Sequence, residues 1–376
     1  MSALAGLRVV EFDGIGPAPV CGKLLAEHGA SVIRVGRPGG QPNGISAGDA
    51  DPLLQGRPTL ELDLKLDADR RLVLDLLAGA DALIEGFRPG VMERLGLGPD
   101  EVLAINPRIV YGRITGYGQT GPLSRHPGHD INYIALTGAL HAIGSAAEPP
   151  PPPLNLVGDY GGGAMLLAFG MLAAHVHALR SGRGQVVDAA MLDATLQLMS
   201  PVFGWMNAGM WSMQRETNFL DGSAPFYRTY RTADGGFLAV GAIEPKFYAV
   251  FRQVMGLSEP LFDAQMDRSL WPAMRERIAQ IVVSRTLEDW QAAIAVPDAC
   301  LSPVLSCELA ASHPQVLARQ ALRRHSDGTL HVAPAPRLSA TPPVTAEPVD
   351  AGPSLDEVLA AWPLEAAQRS RLASRR

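Results

Sequence analysis

Three short segments hold the residues best suited to moving protons: Gly128-His129-Asp130-Ile-Asn-Tyr133, Leu156-Val-Gly158-Asp159-Tyr-Gly-Gly-Gly163 and Gly241-Ala-Ile-Glu244-Pro245. An imidazole, which titrates near neutrality, can both take and give a proton. In the first segment it stands beside a carboxylate at the start of a helical pattern, where Asp130 is placed to cap. Polar capping would account for His129 as well as proton transfer does, and the segment alone leaves both open. In the second segment Asp159 precedes three glycines, where free helix amides and the helix dipole favour an anion and a ligand can approach the backbone. A simple N-cap explains the aspartate but not the glycines, which weaken a helix. Glu244 ends a strand just before a helix opened by Pro245, where an acid also suits the helix dipole.

Other motifs fall short of the chemistry their spelling suggests. Gly14-Ile-Gly16-Pro17 follows a strand as a dinucleotide-binding loop would, but its third glycine is absent. Pro17 and Pro19 also remove amides that would cradle a pyrophosphate, so a plain strand-to-helix turn is expected. Gly44-Ile-Ser46-Ala-Gly48 has the nucleophile-elbow pattern without the strand before it or the helix after it, and Ser46 reads as a loop serine. His175 and His177 are two apart on a helix and point to different sides. No Cys-x-x-Cys or His-Glu-x-x-His accompanies them or the pair His126 and His129, so no metal site is expected. Cys21, Cys300 and Cys307 are odd in number and far apart, which fits free thiols in a reducing cytoplasm.

The elements that must position these residues alternate. A strand at 7–12, a helix over Pro17–Glu27 and a strand at 31–35 open the chain. A helix over Asp67–Ala78, a strand at Ala82–Glu85, a helix at 100–105 and a strand at 108–114 continue the pattern. Such alternation predicts an α/β fold with a Rossmann-like parallel sheet. Helices at 130–143, 160–179 and 189–199 follow, with a strand at 185–188 before the last, and Pro149 to Pro153 make a stiff connector. From Asp221 the texture changes to a hairpin, 227–232 with 237–241, and helices at Pro245–Met255, 271–285, 287–294 and 307–322. A Pro-rich return path at 334–348 and a capping box, Ser354-x-x-Glu357, lead to a last helix ending at Ala361. The expected organisation is a large α/β domain at 1–195, a linker at 196–221, a small α+β domain at 222–315, and a return linker with the C-terminal part of the large domain at 316–376.

A hydrophobic share of 47% against 19% charged residues predicts that the chain folds throughout, and a net charge of −6 argues against a general nucleic-acid binder. No charged leader with a long apolar stretch is seen at the start. The apolar segment 164–179 is shorter than a bilayer span, so a buried helix, no membrane partner and a cytoplasmic location are expected.

Two further motifs, Ile84-Glu-Gly-Phe-Arg88-Pro-Gly-Val-Met-Glu-Arg94-Leu-Gly and Gly116-Tyr-Gly-Gln-Thr-Gly-Pro122, join the three segments in order, after Gly6-Leu-Arg-Val-Val-Glu11. Along nearly its whole length the chain resembles the α-methylacyl-CoA racemases of the class III CoA-transferase family. The resemblance implies removal and return of the C2 proton of a 2-methylacyl-CoA thioester through a planar enolate. His129 would be one base, Asp159 the other on the opposite face, and Glu244 would hydrogen-bond to or orient the imidazole. Free amides near 159–161 would receive the thioester oxygen. No metal or redox cofactor is implied, because coenzyme A arrives as part of the acyl-CoA substrate. The coenzyme's contacts map onto Arg37, Leu62, Lys65, Arg88 and Arg94, with Gly128 and Tyr133 near the thioester. One departure is that basic residues are few around 39–57, and Gly36 precedes Arg37 where an acid is common. The resemblance also implies an interlocked homodimer with an active site between one chain's large domain and its partner's small domain. Glu244 would then act either within its own chain or from the opposite subunit.

The nearest alternative is a CoA transferase on the same fold, in which Asp159 attacks the acyl-CoA and forms an anhydride. Relatives of that kind usually lack the histidine at position 129 and carry a glycine-rich loop near Glu244, so Gly-His-Asp and Gly-Ala-Ile-Glu-Pro favour the racemase. A non-catalytic CoA-binding homologue would have no use for all three acid/base positions. Branched fatty, sterol and aryl-propionyl chains share the same reacting centre, and the sequence does not choose among them.

Overall fold

The computed structural model describes residues 2–39, 51–324, 328–343 and 353–375, and Ser46 lies outside them. Short β-branched runs build a parallel sheet: β1 (Arg8–Phe12), β2 (Ser31–Gly36), β3 (Thr59–Glu61), β4 (Ala82–Glu85), β5 (Val110–Thr115) and β6 (Val186–Ala190), in the order β3-β2-β1-β4-β5-β6. Helices cover both faces, so β4 and β5 are buried at every position, as parallel strands usually are. Val10 pairs with Ile33 on one side and Leu83 on the other, and Gly112 pairs with Val187. Alternate residues serve separate cores. Val10, Phe12 and Ile33 pack with Leu76 of α2 (Asp67–Ala78), after α1 (Pro17–Glu27), while Val9, Ile84 and Val110 pack with Leu25 of α1. The strand order reverses between β1 and β4, which opens a crevice beyond their C-terminal ends.

After β4 come two short helices, α3 (Val91–Arg94) and α4 (Pro99–Ile105), and after β5 comes α5 (Asp130–Ala135). The helix expected to reach 143 stops at Ala135 with Leu136 as its C-cap, because Gly138 turns the chain at φ 83°. The helix expected at 160–179 instead begins at Leu156 with wide π-type turns through Ala164 and continues as α6 (Met165–Ser181). Its 26 residues are long and apolar enough to cross a membrane by length and composition, contrary to the shorter span expected. It is buried on one side only. Leu167, Met171, Ala174 and Ala178 pack inward, while Met165, Phe169, Val176 and Leu179 are exposed.

The chain divides into two compact units, residues 1–137, 154–198 and 314–376 in one, and 138–153 with 199–313 in the other. α7 (Met191–Leu198) closes the middle part of the first unit. The region expected as a linker carries α8 (Ser200–Asn207), and 138–153 also group with the second unit. There β7 (Tyr227–Arg231) and β8 (Phe237–Gly241) form the expected hairpin, and β9 (Leu301–Pro303) adds a third antiparallel strand. α9 (Pro245–Met255), α10 (Trp271–Val282) and α11 (Gln291–Ile294) bring Phe251, Trp271 and Trp290 into its core with Phe226. The helix expected at 307–322 is broken into α12 (Cys307–Ala310) and α13 (Pro314–Ala318), followed by the antiparallel pair β10 (Leu322–Arg324) and β11 (Leu330–Val332). Pro314 accounts for the break, since it lacks the amide a continuing helix needs. The Ser354 hydroxyl accepts the Glu357 amide at 3.3 Å and caps α14 (Leu355–Ala360). A further helix, α15 (Ala366–Ala373), follows, and Leu359, Trp362 and Leu372 complete the first core.

Candidate active site

The crevice at the switch point is a cavity of about 870 Å³ within the first unit, with Gly16, Arg88, Tyr117, His129, Tyr133 and Asp159 among its lining residues. The loops after β1 and β4 form part of its wall, so the Gly14–Pro17 turn shapes the cavity without holding a dinucleotide fingerprint.

Asp159 sits inside the π-type segment rather than at its cap, as the simpler expectation had it. Asp130, expected as a cap of α5, is instead buried, and its Oδ2 accepts the Asp159 amide at 2.7 Å. Gly158 permits this approach, because a Cβ there would lie 2.7 Å from the same oxygen. The Asn155 side-chain amide donates to Asp159 Oδ2 at 3.1 Å. Burial raises the Asp159 carboxyl above the usual carboxylate range. The Asn155 hydrogen bond opposes that rise, the Asp130 charge adds to it, and His129 opposes it. Gly16, at φ 70°, comes so close that a Cβ would sit 3.2 Å from Asp159 Oδ2.

His129 is exposed and occupies the N-cap position of α5 in an extended conformation. Its backbone amide donates to Asn132 Oδ1 at 3.0 Å. Tyr133 steadies the preceding turn: its hydroxyl donates to the Gly128 carbonyl, and its ring meets Tyr117 edge-on at 5.0 Å. Gly116 leaves room for that ring, since a Cβ would fall 2.0 Å from Tyr133 Cε1. Burial, with the Asp159 charge next, pushes the Tyr133 phenol up to about 12, so it remains a proton donor at neutral pH.

His129, Asp159, Gly128, Tyr133 and Arg88 therefore share one cavity. Arg37, Lys65 and Arg94 are exposed on the same unit and are not among its lining residues. Leu62 is 1% exposed in the sheet core, so its side chain is committed to packing. Glu244 belongs to the second unit, exposed at the N-cap of α9 with no side-chain cap bond. The amides expected for a thioester oxygen are partly taken: that of Asp159 by Asp130, and that of Tyr160 by the Asn155 carbonyl at 3.3 Å. Asn155 is the site residue the sequence did not single out, and Asp130 reads there only as a helix cap. Asn155 carried one signal, its position four residues before Asp159, where it stands at the N-cap of the π-type segment. Among the described residues no group of His, Cys, Asp and Glu could hold a metal ion. The second unit has its own cavity of about 780 Å³, lined in part by Ser145, Glu216, Asp221, Arg228 and Cys300.

The profile of CoA-transferase family III matches residues 4–357. Mouse α-methylacyl-CoA racemase is 43% identical over 354 residues, covering 94% of this chain and 91% of that one. The human α-methylacyl-CoA racemase is 41% identical over 342 residues, covering 91% and 88%. The crystal structure of a CAIB/BAIF family protein from Brucella suis shares the fold, with a TM-score of 0.78 over 99% of both chains at 23% identity.

Proposed function

The chain belongs to CoA-transferase family III, and from that premise we infer that it is an isomerase inverting C2 of 2-methylacyl-CoA thioesters. The observation that carries this reading furthest is one cavity holding an imidazole and a carboxylate on separate elements, the carboxylate's pKa raised by burial above the usual carboxylate range. We propose that His129 and Asp159 face opposite sides of C2. One takes the proton, a planar enolate forms, and the other returns a proton to the far face. Each positioned base contributes about 10²–10⁴-fold, so the enolate oxygen also needs a hydrogen-bond donor. Because the Asp159 and Tyr160 amides are engaged, and those of Asn132 and Tyr133 donate to the His129 carbonyl, we assign that role to the Asp130 and Ile131 amides at the start of α5. Glu244 would orient the imidazole, from its own chain or from a partner.

For coenzyme A we propose Arg88 at the cavity and Arg37, Lys65 and Arg94 outside it as phosphate contacts, with Leu62 contributing through its backbone and Gly128 and Tyr133 beside the thioester. The acyl-CoA is the only coenzyme the reaction needs, and a cytoplasmic, interlocked homodimer of large and small domains is the assembly we propose. The exposed apolar side of α6 supports burial against a second chain.

The test is incubation of the protein with one enantiomer of a 2-methylacyl-CoA in D₂O, with no acceptor acid. Deuterium at C2 together with the other epimer is the expected result. No exchange, but acyl transfer once a free carboxylic acid is added, would make Asp159 a nucleophile and the protein a transferase.

A further inference from the structure

Glu85, the last residue of β4, stands in register with Arg113 of β5, and both are buried. Arg113 Nε donates to Glu85 Oε1 at 2.6 Å, while its Nη1 and Nη2 donate to Glu93 Oε1 and Oε2 at 2.7 and 3.3 Å. The other Glu85 oxygen accepts the Phe87 amide at 2.7 Å, which fixes the backbone immediately before Arg88. Glu93 lies on α3 directly before Arg94. One guanidinium thus ties the loop carrying Arg88 to the helix carrying Arg94. Arg88 and Arg94 are exposed and form no ion pair with a described residue. Both are free to meet an anion.

The sheet does not need this cluster to hold β4 and β5 together. Four backbone pairings from Ala82↔Val110 to Glu85↔Arg113 and the packing of Leu83 and Tyr111 already do so. What the cluster adds is a fixed geometry at the cavity end of β4. Glu85 is fully buried, whereas the Glu93 side chain is 43% exposed, so the pair reaches from the core to the surface. The fork geometry of arginine is what allows two carboxylates to be held at set angles, and lysine lacks it.

We propose that Arg113 is a positioning residue that sets the spacing between Arg88 and Arg94 for the phosphates of coenzyme A. The inference rests on the assignment of those two arginines to the coenzyme. Direct binding tests it apart from isomerase activity. Free coenzyme A and pantetheine, which lacks the phosphates, are titrated calorimetrically into wild type, Glu93→Gln and Arg113→Lys. Glu93→Gln, at a partly exposed position, should fold and weaken coenzyme A binding about tenfold, equivalent to about 1.4 kcal/mol. Pantetheine binding should be unchanged. Arg113→Lys keeps the charge but cannot fork, and should weaken coenzyme A binding at least as much. In turnover the same variants should raise KM for the CoA thioester with little change in kcat, and leave KM for the pantetheine thioester alone. Equal losses for both ligands, or no loss in Glu93→Gln, would overturn the proposal. If the wild type binds coenzyme A but exchanges no C2 proton, the isomerase reading fails while the binding comparison still decides the role of Arg113.

Discussion

Asp159 in the first unit and Glu216 in the second each line a cavity, of about 870 and 780 Å³, yet their surroundings drive the two carboxyls in opposite directions. Burial pushes both up. At Glu216 it is outweighed by donors, the Ala146 amide and the Ser145 hydroxyl, with Arg228 and Arg275 nearby, and the carboxyl falls below its usual range. At Asp159 a single side-chain donor, Asn155, faces burial and the charge of Asp130, and the carboxyl rises. Asp130 contributes twice, because the charge that disfavours ionisation also holds the Asp159 amide in place. A cavity with a carboxylate is therefore not yet a reactive site. The decisive quantity is how fully the surrounding donors satisfy the charged form.

The largest expected effect separates the two cavities outright. Asp159→Asn and His129→Gln should each lower net racemisation about 10²–10⁴-fold, while Glu216→Gln leaves it near wild type, as read by polarimetry of a single-enantiomer thioester. Gly16→Ala should follow. At φ 70° and ψ −123° an L-residue costs about 1–3 kcal/mol, and the new methyl would crowd Asp159, so urea unfolding should show that loss along with slower turnover. The environment of Asp159 can then be tuned. Asn155→Ala removes a bond that favours the anion, so the carboxyl rises further and the acid limb of the pH–rate profile moves to higher pH. Asp130→Asn removes a repelling charge and moves that limb to lower pH. Shifts of up to about one unit are expected, each unit being about 1.4 kcal/mol. The smallest effect belongs to the second unit. Ser145→Ala should raise the Glu216 pKa and cost about 0.5–1.5 kcal/mol or less at that exposed position, measurable by NMR titration and by urea unfolding.

Much of the frame follows from local pattern. β1, α1, α2 and β4 lie where β-branched runs, helical periodicity and Pro17 put them, because the strands are continuous buried runs and each helix buries one stripe against them. β3 and β9, three residues each, offer too few positions for a period to show, and long-range pairing alone makes them strands. The π-type turns before α6 have no pattern of their own. The glycines at 161–163 suggested room for a ligand's approach, but the space at 162 and 163, as at Gly158, is taken by the chain's own Ala194, Met191 and Asp130, groups distant in sequence. The segments alone left His129 open between capping and proton transfer and left the glycines after Asp159 beyond what a simple N-cap explains, so the roles of both residues were expected only from the resemblance. The role of Asp130 was not legible, since the cap it could have made and the tertiary bond it does make look alike in sequence.

The central claim is that His129 and Asp159 serve opposite faces of one carbon. The most direct test follows loss of C2 deuterium into water from each enantiomer of a C2-deuterated 2-methylacyl-CoA, in His129→Ala and in Asp159→Ala, at early times before epimers mix. The account predicts that each variant keeps exchange from one enantiomer and loses it from the other, with the two variants opposite in preference. Equal loss from both enantiomers in both variants would contradict it.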